Sequence, residues 1–513
     1  MATRVLGQPR QHPALGSLLA AVRAEPLLLI FALFAGTGLV IRGIVGLHHP
    51  LEFDETYTMV IAGQQSFAGW YYWVTHELGG PLYYGLAWLW HGISGPDPVL
   101  MRLPSMAALL AVPVVILRAR CLDWRVRLVW ASVMALWLPG LMFGILARSY
   151  GLLILLTTMQ AISFVALLRD PRRYRAAVWV GLSVLAAMTH YYAGVVSLIQ
   201  GMILLAFAPR KALQCWPAAL LLLPLFGVFL LQYRFLTDFA QPGSNWYELQ
   251  RIGDVAGLPG TVLWLGKLSL LLALEGFGFA GVRLYQWRSA GRAIDWPVAL
   301  TVTSGIAAIL AVFLVGCITP SFTPRYLLPF MPAALLGFAC QLEGVNRRYP
   351  VLSVGVAMLC IYAGMMMGAL SLALQKPDPD ASFSLELASE WLAANHGGDR
   401  VLFLWDNPTA DIGQEPELLS HIAAYGLHRA GVVAPQVMVA GNLPAAADPN
   451  HALFDRAAKQ RASVLWLYDS NVPGTRGIAH PFAGAPTGWT CRPAGAWLFK
   501  VIACIPPGTV AAR

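Results

Sequence analysis

Apolar runs of about 16 to 25 residues, the length that crosses roughly 30 Å of hydrocarbon, recur from residue 26 to residue 374. Short basic clusters separate them, and the pattern is that of a polytopic helical membrane protein. The first run, 26–47, is too long for a signal-peptide core and no convincing small-residue cleavage site ends it, so it reads as a retained helix. Lys and Arg set the direction of each crossing. Arg4, Arg10 and Arg23 place the N-terminus on the cytoplasmic side. Arg118, Arg120, Arg125 and Arg127 follow the span 103–117. For that cluster to be inside, residues 48–102 stay outside as one loop. The aromatic run 81–90 is too short for a span, and its Trp and Tyr suit a helix lying in the interface.

Residues 128–168 carry a single charge, Arg148, and are too many for one crossing. Two helices are expected there, with Ala147, Arg148, Ser149 and Tyr150 at the outer turn. Arg169, Arg172, Arg173 and Arg175 then return to the cytoplasm. Residues 176–208 are long for one span and tight for two. A hairpin turning at His190, Tyr191 and Tyr192 is preferred, because it keeps Arg210, Lys211, the 283–292 cluster, Arg347 and Arg348 inside. Spans at 216–233, from the outer loop 234–254 back to Arg283, and at 296–317, 326–342 and 351–374 bring the total to about eleven. Residues 1–375 are thus expected to form a transmembrane domain whose first outer loop, 48–102, carries juxtamembrane helices.

Past a breaker-rich linker at 375–380 the pattern changes. Helices are expected at 383–395, 415–429 and 454–461, and strands at 400–405, 436–439, 463–468 and 497–505. Such alternation predicts a small α/β domain with a mainly parallel sheet over 376–513, on the extracytoplasmic side. Asp406, Asn407 and Pro408 follow the first strand in place of a glycine-rich phosphate loop, which argues against nucleotide binding.

Composition sharpens this picture. Of 513 residues 57% are hydrophobic and 12% charged, against roughly 25% charged in soluble domains. The net charge of +9 lies in clusters between apolar runs, which marks membrane orientation and excludes a nucleic-acid partner. The seven cysteines lack metal-ligand spacing. Cys491 and Cys504 share the outer domain, and a disulfide between them is open but little supported by spacing alone.

With this topology Asp54, Glu55, His76, Glu77, Arg102, Arg148, Tyr150, His190, Arg325 and Tyr326 fall at or near the outer ends of spans. Any one of them also reads as an interfacial or snorkelling side chain, Arg102 above all. Arg148 is harder to account for in that way. Burying it alone costs on the order of 2–3 kcal/mol or more, so it needs a carboxylate or a phosphate. His190 stands equally for a satisfied interior histidine and for a functional group. Lys267, within the apolar stretch after the outer loop, is either a phosphate contact or an interfacial lysine.

The order of features resembles the GT-C class of membrane glycosyltransferases, particularly the branch of protein O-mannosyltransferases and of aminoarabinose transferases acting on lipid A. The matching pieces are Phe53-Asp54-Glu55 after the first span, and His76-Glu77 with Gly79-Gly80-Pro81-Leu82-Tyr83-Tyr84 entering the juxtamembrane helix. They continue with Met101-Arg102-Leu103-Pro104-Ser105, Ala147-Arg148-Ser149-Tyr150, His190-Tyr191 and Pro324-Arg325-Tyr326, within about residues 26–345. Where relatives commonly show Pro-Pro, this chain has Gly80-Pro81, which loosens the turn beside Glu77.

The resemblance implies transfer of a sugar from a polyprenyl-phosphate donor to a lipid, glycan or protein acceptor at the outer face of the plasma (inner) membrane. A carboxylate at that surface can serve as base, and Asp54 is the choice. Arg148, Arg325 and Lys267 are the candidates for the donor phosphate, since a guanidinium matches phosphate oxygens with two parallel hydrogen bonds. His76, Tyr83, Tyr150, His190, Tyr191 and Tyr326 are candidate substrate contacts. Glu55 and Glu77 either orient the acceptor or, with Asp54, bind a divalent metal cation; two adjacent carboxylates do not distinguish these roles. One base opposite a phosphate leaving group predicts inversion. The rival readings are a lipid-linked sugar transporter or flippase, which would spread charges through membrane depth in two repeated halves, and a glycan ligase or polymerase of the same class.

Overall fold

A computed structural model describes residues 26–47, 53–77, 79–239, 249–263, 295–348, 384–406, 416–440, 449–469, 486–494 and 499–508. In chain order the helices of the apolar part are α1 (Pro26–Leu47), α2 (Phe53–Ala62), α3 (Phe67–Thr75), α4 (Pro81–Ser94), α5 (Pro98–Leu117), α6 (Trp124–Leu136), α7 (Leu138–Ile145) and α8 (Tyr150–Arg169). There follow α9 (Arg173–Thr189), α10 (Ala193–Phe207), α11 (Pro209–Gln214), α12 (Leu223–Phe239), α13 (Leu258–Leu263), α14 (Trp296–Gly316) and α15 (Met331–Arg348). The described residues divide into two compact units. One takes in 26–47, 71–233 and 249–348; the other takes in 53–70, 234–239 and the residues from 384 onward.

In the first unit, aspartates and prolines start the helices. Asp97 accepts from the Leu100 N–H at 2.9 Å with Pro98 next in line, and Asp123 accepts from the Arg125 N–H at 3.0 Å. Pro139 withholds an N–H and its ring blocks the preceding turn, so α6 and α7 meet at a 60° bend. Gly151 lets α8 approach closely, since a Cβ there would lie 2.5 Å from both the Gly144 and the Ser105 carbonyl oxygens. Trp130, Phe164, Phe313 and Phe330 are fully buried between the helices.

Among the described residues, five helices are long and apolar enough to cross a membrane, or six if the bent pair is one span. This corrects the expectation of about eleven. The hairpin at 176–208 forms as α9 and α10, but at 17 and 15 residues each falls short of a full crossing, at roughly 22–26 Å for a rise of 1.5 Å per residue. The spans expected between 254 and 283 and at 351–374 lie largely or wholly outside the described residues. The aromatic run folds as α4, with Tyr83, Tyr84 and Ala87 inward and Leu86, Leu89 and Ile93 exposed on its other side.

The second unit is built on α16 (Ser384–Ala394), β1 (Arg400–Asp406), α17 (Pro416–Arg429), β2 (Gln436–Val439), α18 (Pro449–Gln460), β3 (Ser463–Asp469), β4 (Thr490–Ala494) and β5 (Phe499–Ile505). The strand order is β2-β1-β3-β5-β4. β1 pairs in parallel with β2 and β3, but β5 runs antiparallel to both β3 and β4. The sheet is therefore mixed, not mainly parallel. The missed strand, β4, sits at an edge, where Pro493 is tolerated because no further strand needs its N–H. Cys491 and Cys504 face each other across β4 and β5 and form a disulfide. The α2 helix belongs to this unit and packs on α17.

A buried hydrogen-bonded seam ties α8, α9, α10 and α14 together. Gln160 donates to Ser183 at 2.9 Å and to Ser197 at 2.8 Å; the Trp179 indole donates to Gln200 at 2.8 Å, and Gln200 donates to Ser304 at 3.2 Å. Between apolar helices, where lipid competes for every hydrophobic face, such bonds fix which helices pair. Gln200→Leu strands the Trp179 N–H and should cost about 1–2 kcal/mol, read as a lower melting temperature in detergent. Adding Trp179→Phe should restore most of the loss.

Candidate functional site

The polar side chains of the first unit gather at the end of the bundle where α9 stops and α8 and α10 begin. Gly79 makes a single antiparallel bridge with His190, and the Gly80 N–H donates to the Thr189 carbonyl at 3.1 Å. A Cβ on residue 80 would collide with the Met188 carbonyl, so the close approach requires glycine. This explains the departure at Gly80-Pro81. A proline at 80 would lose both the space and the donor, while Pro81 opens α4 as its first residue.

The docked loop delivers Glu77 to Arg148. Glu77 Oε1 accepts from the Tyr84 hydroxyl at 3.1 Å and from Arg148 Nη2 at 3.4 Å, and Arg148 Nη1 donates to the Tyr84 oxygen at 3.0 Å. The arginine and glutamate side chains are 12% and 18% exposed, and Tyr84 is buried. Burial holds the Tyr84 hydroxyl well above the ordinary tyrosine range, against the pull of Arg148 and with help from Glu77. It therefore stays protonated and donates. The backbone beneath is fixed as well: Ser105 Oγ donates to the Arg148 carbonyl at 3.1 Å, leaving the Tyr83 hydroxyl to donate to Ser105 at 3.1 Å.

His190 caps α9 and lies among aromatic rings, with centroids 6.1 Å from Tyr150, 5.7 Å from Tyr192 and 5.0 Å from Tyr326. Tyr192 and Tyr326 stack at 4.6 Å. Its Nδ1 accepts from the Tyr192 N–H at 3.4 Å, which puts any ring proton on Nε2. Burial, and then the charges of Arg148 and Arg325, lower its pKa to about 3. His190 is neutral at physiological pH and is a poor proton acceptor there. The Arg325 guanidinium lies 6.0 Å from the Tyr326 ring centre, so both arginines bear on one imidazole.

The remaining candidates make other contacts. Arg102 is fully buried, not snorkelling, and donates to the Gly46 and Leu47 carbonyls at 3.3 and 3.2 Å, capping the end of α1. His76 is exposed, stacked on Tyr72 at 4.3 Å with Nδ1 held by the Tyr72 carbonyl at 2.7 Å. Tyr191 packs on Phe229 at 5.1 Å. Asp54 and Glu55 stand in the first turn of α2, in the second unit, Asp54 partly exposed and Glu55 fully buried. Lys267 lies outside the described residues. Among the described residues no three His, Cys, Asp or Glu side chains come together as a metal site. Glu77 is engaged by Tyr84 and Arg148, and no step is assigned to a metal.

Sequence reasoning missed Tyr84, although it stands beside Tyr83. A helix opening at Pro81 turns the two side chains about 100° apart, so one reaches Ser105 and the other Glu77.

Tyr84→Phe should lower stability by about 1–3 kcal/mol, because Glu77 and Arg148 lose a shared partner in a part-buried site; an unchanged melting temperature would show that the hydroxyl carries no load. The pH dependence follows from His190. Its unfolded imidazole titrates near 6.5 and its folded one at about 3, so unfolding takes up a proton between those values. The stability contributed by neutral His190 is complete above about pH 6.5 and is lost as pH falls toward the folded value. Melting curves of His190→Gln between about pH 7 and about pH 5 should be flatter than those of the native chain.

No protein-family model matches the chain, and no curated protein matches it in sequence. Solved structures do match in fold. ArnT from Cupriavidus metallidurans in the apo state aligns with a TM-score of 0.56 and 14% identity over 96% of this chain and 100% of that one. ArnT from the same organism bound to undecaprenyl phosphate aligns with a TM-score of 0.53 and 14% identity over the same shares. The expected resemblance is thus found in three dimensions: the chain has the fold of ArnT, an aminoarabinose lipid A transferase of the GT-C class.

Proposed function

We propose that the protein is an inverting glycosyltransferase that moves a sugar from a polyprenyl-phosphate donor to a lipid, glycan or protein acceptor. The observation that carries this reading is the Glu77–Tyr84–Arg148 centre, in a chain that folds like ArnT, whose solved structure holds undecaprenyl phosphate. Transfer of the sugar releases a lipid phosphate, and the bond to the anomeric carbon breaks only as fast as that charge is stabilised. Arg148 stands pre-positioned by Glu77 and Tyr84, so the guanidinium needs no ordering when phosphate oxygens replace the carboxylate as its partner. Arg325 and Lys267 are proposed as further phosphate contacts.

Asp54 is the proposed base. It takes the acceptor hydroxyl proton as the oxygen attacks the anomeric carbon, while the electron pair of the breaking C–O bond leaves with the phosphate. Attack opposite the leaving group inverts the sugar carbon. Glu77 acts through Arg148 as a positioning residue, and Tyr83, Tyr150, Tyr326 and neutral His190 form an aromatic wall for substrate.

The outer face of the plasma membrane is the proposed side, with the N-terminus cytoplasmic, residues 1–375 the catalytic domain and residues 376–513 an extracytoplasmic domain. Two observations support it. Basic residues crowd the opposite end of the bundle, where Arg169 pairs with Asp295 at 2.5 Å and Arg173 donates to the Gln214 carbonyl. The Cys491–Cys504 bond belongs to an oxidising compartment.

With a panel of undecaprenyl-phosphate sugars, Asp54→Asn should insert and fold normally but lose turnover by roughly 10²–10⁴-fold. Near-native turnover would remove Asp54 from the chemistry. Arg148→Ala should weaken binding of undecaprenyl phosphate about 10–100-fold, and unchanged affinity would remove Arg148 from the phosphate site.

A further inference from the structure

Two buried polar atoms beside Glu77 have no hydrogen-bond partner among the described residues: Gln232 Oε1 and the Tyr191 hydroxyl. Such orphans are uncommon in native proteins, and each asks what fills its place. Gln232 stands in the last part of α12 and is 1% exposed. Its amide is fixed in orientation, because Nε2 donates to the Val74 carbonyl at 2.8 Å and to the Glu77 carbonyl at 3.4 Å. Turned over, it would set oxygen against two carbonyl oxygens, so the oxygen is the atom left unmet.

Tyr191 comes from the turn between α9 and α10. Its ring lies 5.1 Å from that of Phe229, which precedes Gln232 by three residues on the same face of α12. Burial, and then the charge of Glu77, push its hydroxyl pKa up, so it remains a proton donor near that carboxylate. Both orphans thus border the residues that hold Arg148.

Their chemistry selects the ligand. An amide oxygen only accepts, and a phosphate oxygen has no proton to give it. A hydroxyl gives a proton to Gln232 and takes one from Tyr191, so a pair of neutral groups next to a guanidinium suits a hydroxylated ring attached to a phosphate. We propose that Gln232 and Tyr191 form a subsite for the hydroxyls of a sugar ring. On the transferase reading above, on which this rests, the ring is the donor's.

The test measures binding of undecaprenyl phosphate, and of a panel of undecaprenyl-phosphate hexoses and pentoses, to the full chain in detergent. The native chain should bind at least one sugar-bearing lipid about tenfold or more tighter than the bare phosphate lipid. Tyr191→Phe should bring the two affinities to within about twofold while leaving that for undecaprenyl phosphate unchanged, and Gln232→Leu should abolish the same preference. Tyr191→Phe removes a hydroxyl that bonds nothing among the described residues, so its melting temperature should equal or exceed the native one, and lost preference cannot then be lost fold. A native preference kept by both variants, or no preference in the native chain, overturns the subsite while leaving the transferase reading in place. Failure of that reading looks different: the native chain then has no affinity for undecaprenyl phosphate, and the subsite falls with it.

Discussion

One charge in a long apolar run, Arg148, imposes the constraint on which this end of the bundle depends. A guanidinium between hydrophobic helices must find an anion, and the chain brings Glu77 from a loop far earlier in the sequence. That loop reaches Arg148 only because Gly79 and Gly80 lie flat against the end of α9. Ser105, on α5, then holds the Arg148 backbone from the other side. The ion pair, the glycine contact and the serine bond are mutually dependent: each fixes a segment that another needs in place. A carboxylate held this way is a positional device, because the more firmly Glu77 orients Arg148, the less the arginine has to be ordered by anything that binds it.

The electrostatics of the same end explain why His190 stays neutral. Removing an imidazole from water already disfavours its cation, and two nearby guanidiniums disfavour it further. What remains is a flat neutral ring among Tyr150, Tyr192 and Tyr326. Nearby positive charge therefore does two things at once. It keeps the histidine uncharged, and it sets a positive field at the edge of the neighbouring aromatic rings.

Much of this was legible in the sequence because it rests on periodicity and on charge placement. The interfacial run became α4, the turns at 147–150 and 190–192 fell where polar residues interrupt apolar ones, and Arg148 announced itself as a charge without local solvation. The number of crossings was not legible, because a hydropathy run does not show that α6 and α7 bend at Pro139 or that α9 and α10 stop short. Nor was the partner of Arg148 readable: several carboxylates share the expected outer loop, and only the docking of Gly80 selects Glu77. Gln232 was invisible for a further reason. A glutamine in an apolar helix has no distinguishing signal until its amide is seen to be half satisfied.

That last point separates structural from ligand-facing polar groups within one unit. Gln160 and Gln200 lie in the same bundle as Gln232 and are as thoroughly buried. The Gln160 amide donates to two serines, and Gln200 both accepts from Trp179 and donates to Ser304, so these side chains join helices. Gln232 spends its donors on the loop carrying Glu77, and its acceptor is unmet among the described residues. Selection for stability alone would favour an apolar residue there, since a buried acceptor without a donor is a net loss. A group that is costly to the isolated chain, and that lies against the residues organising Arg148, has its compensation in what the chain binds.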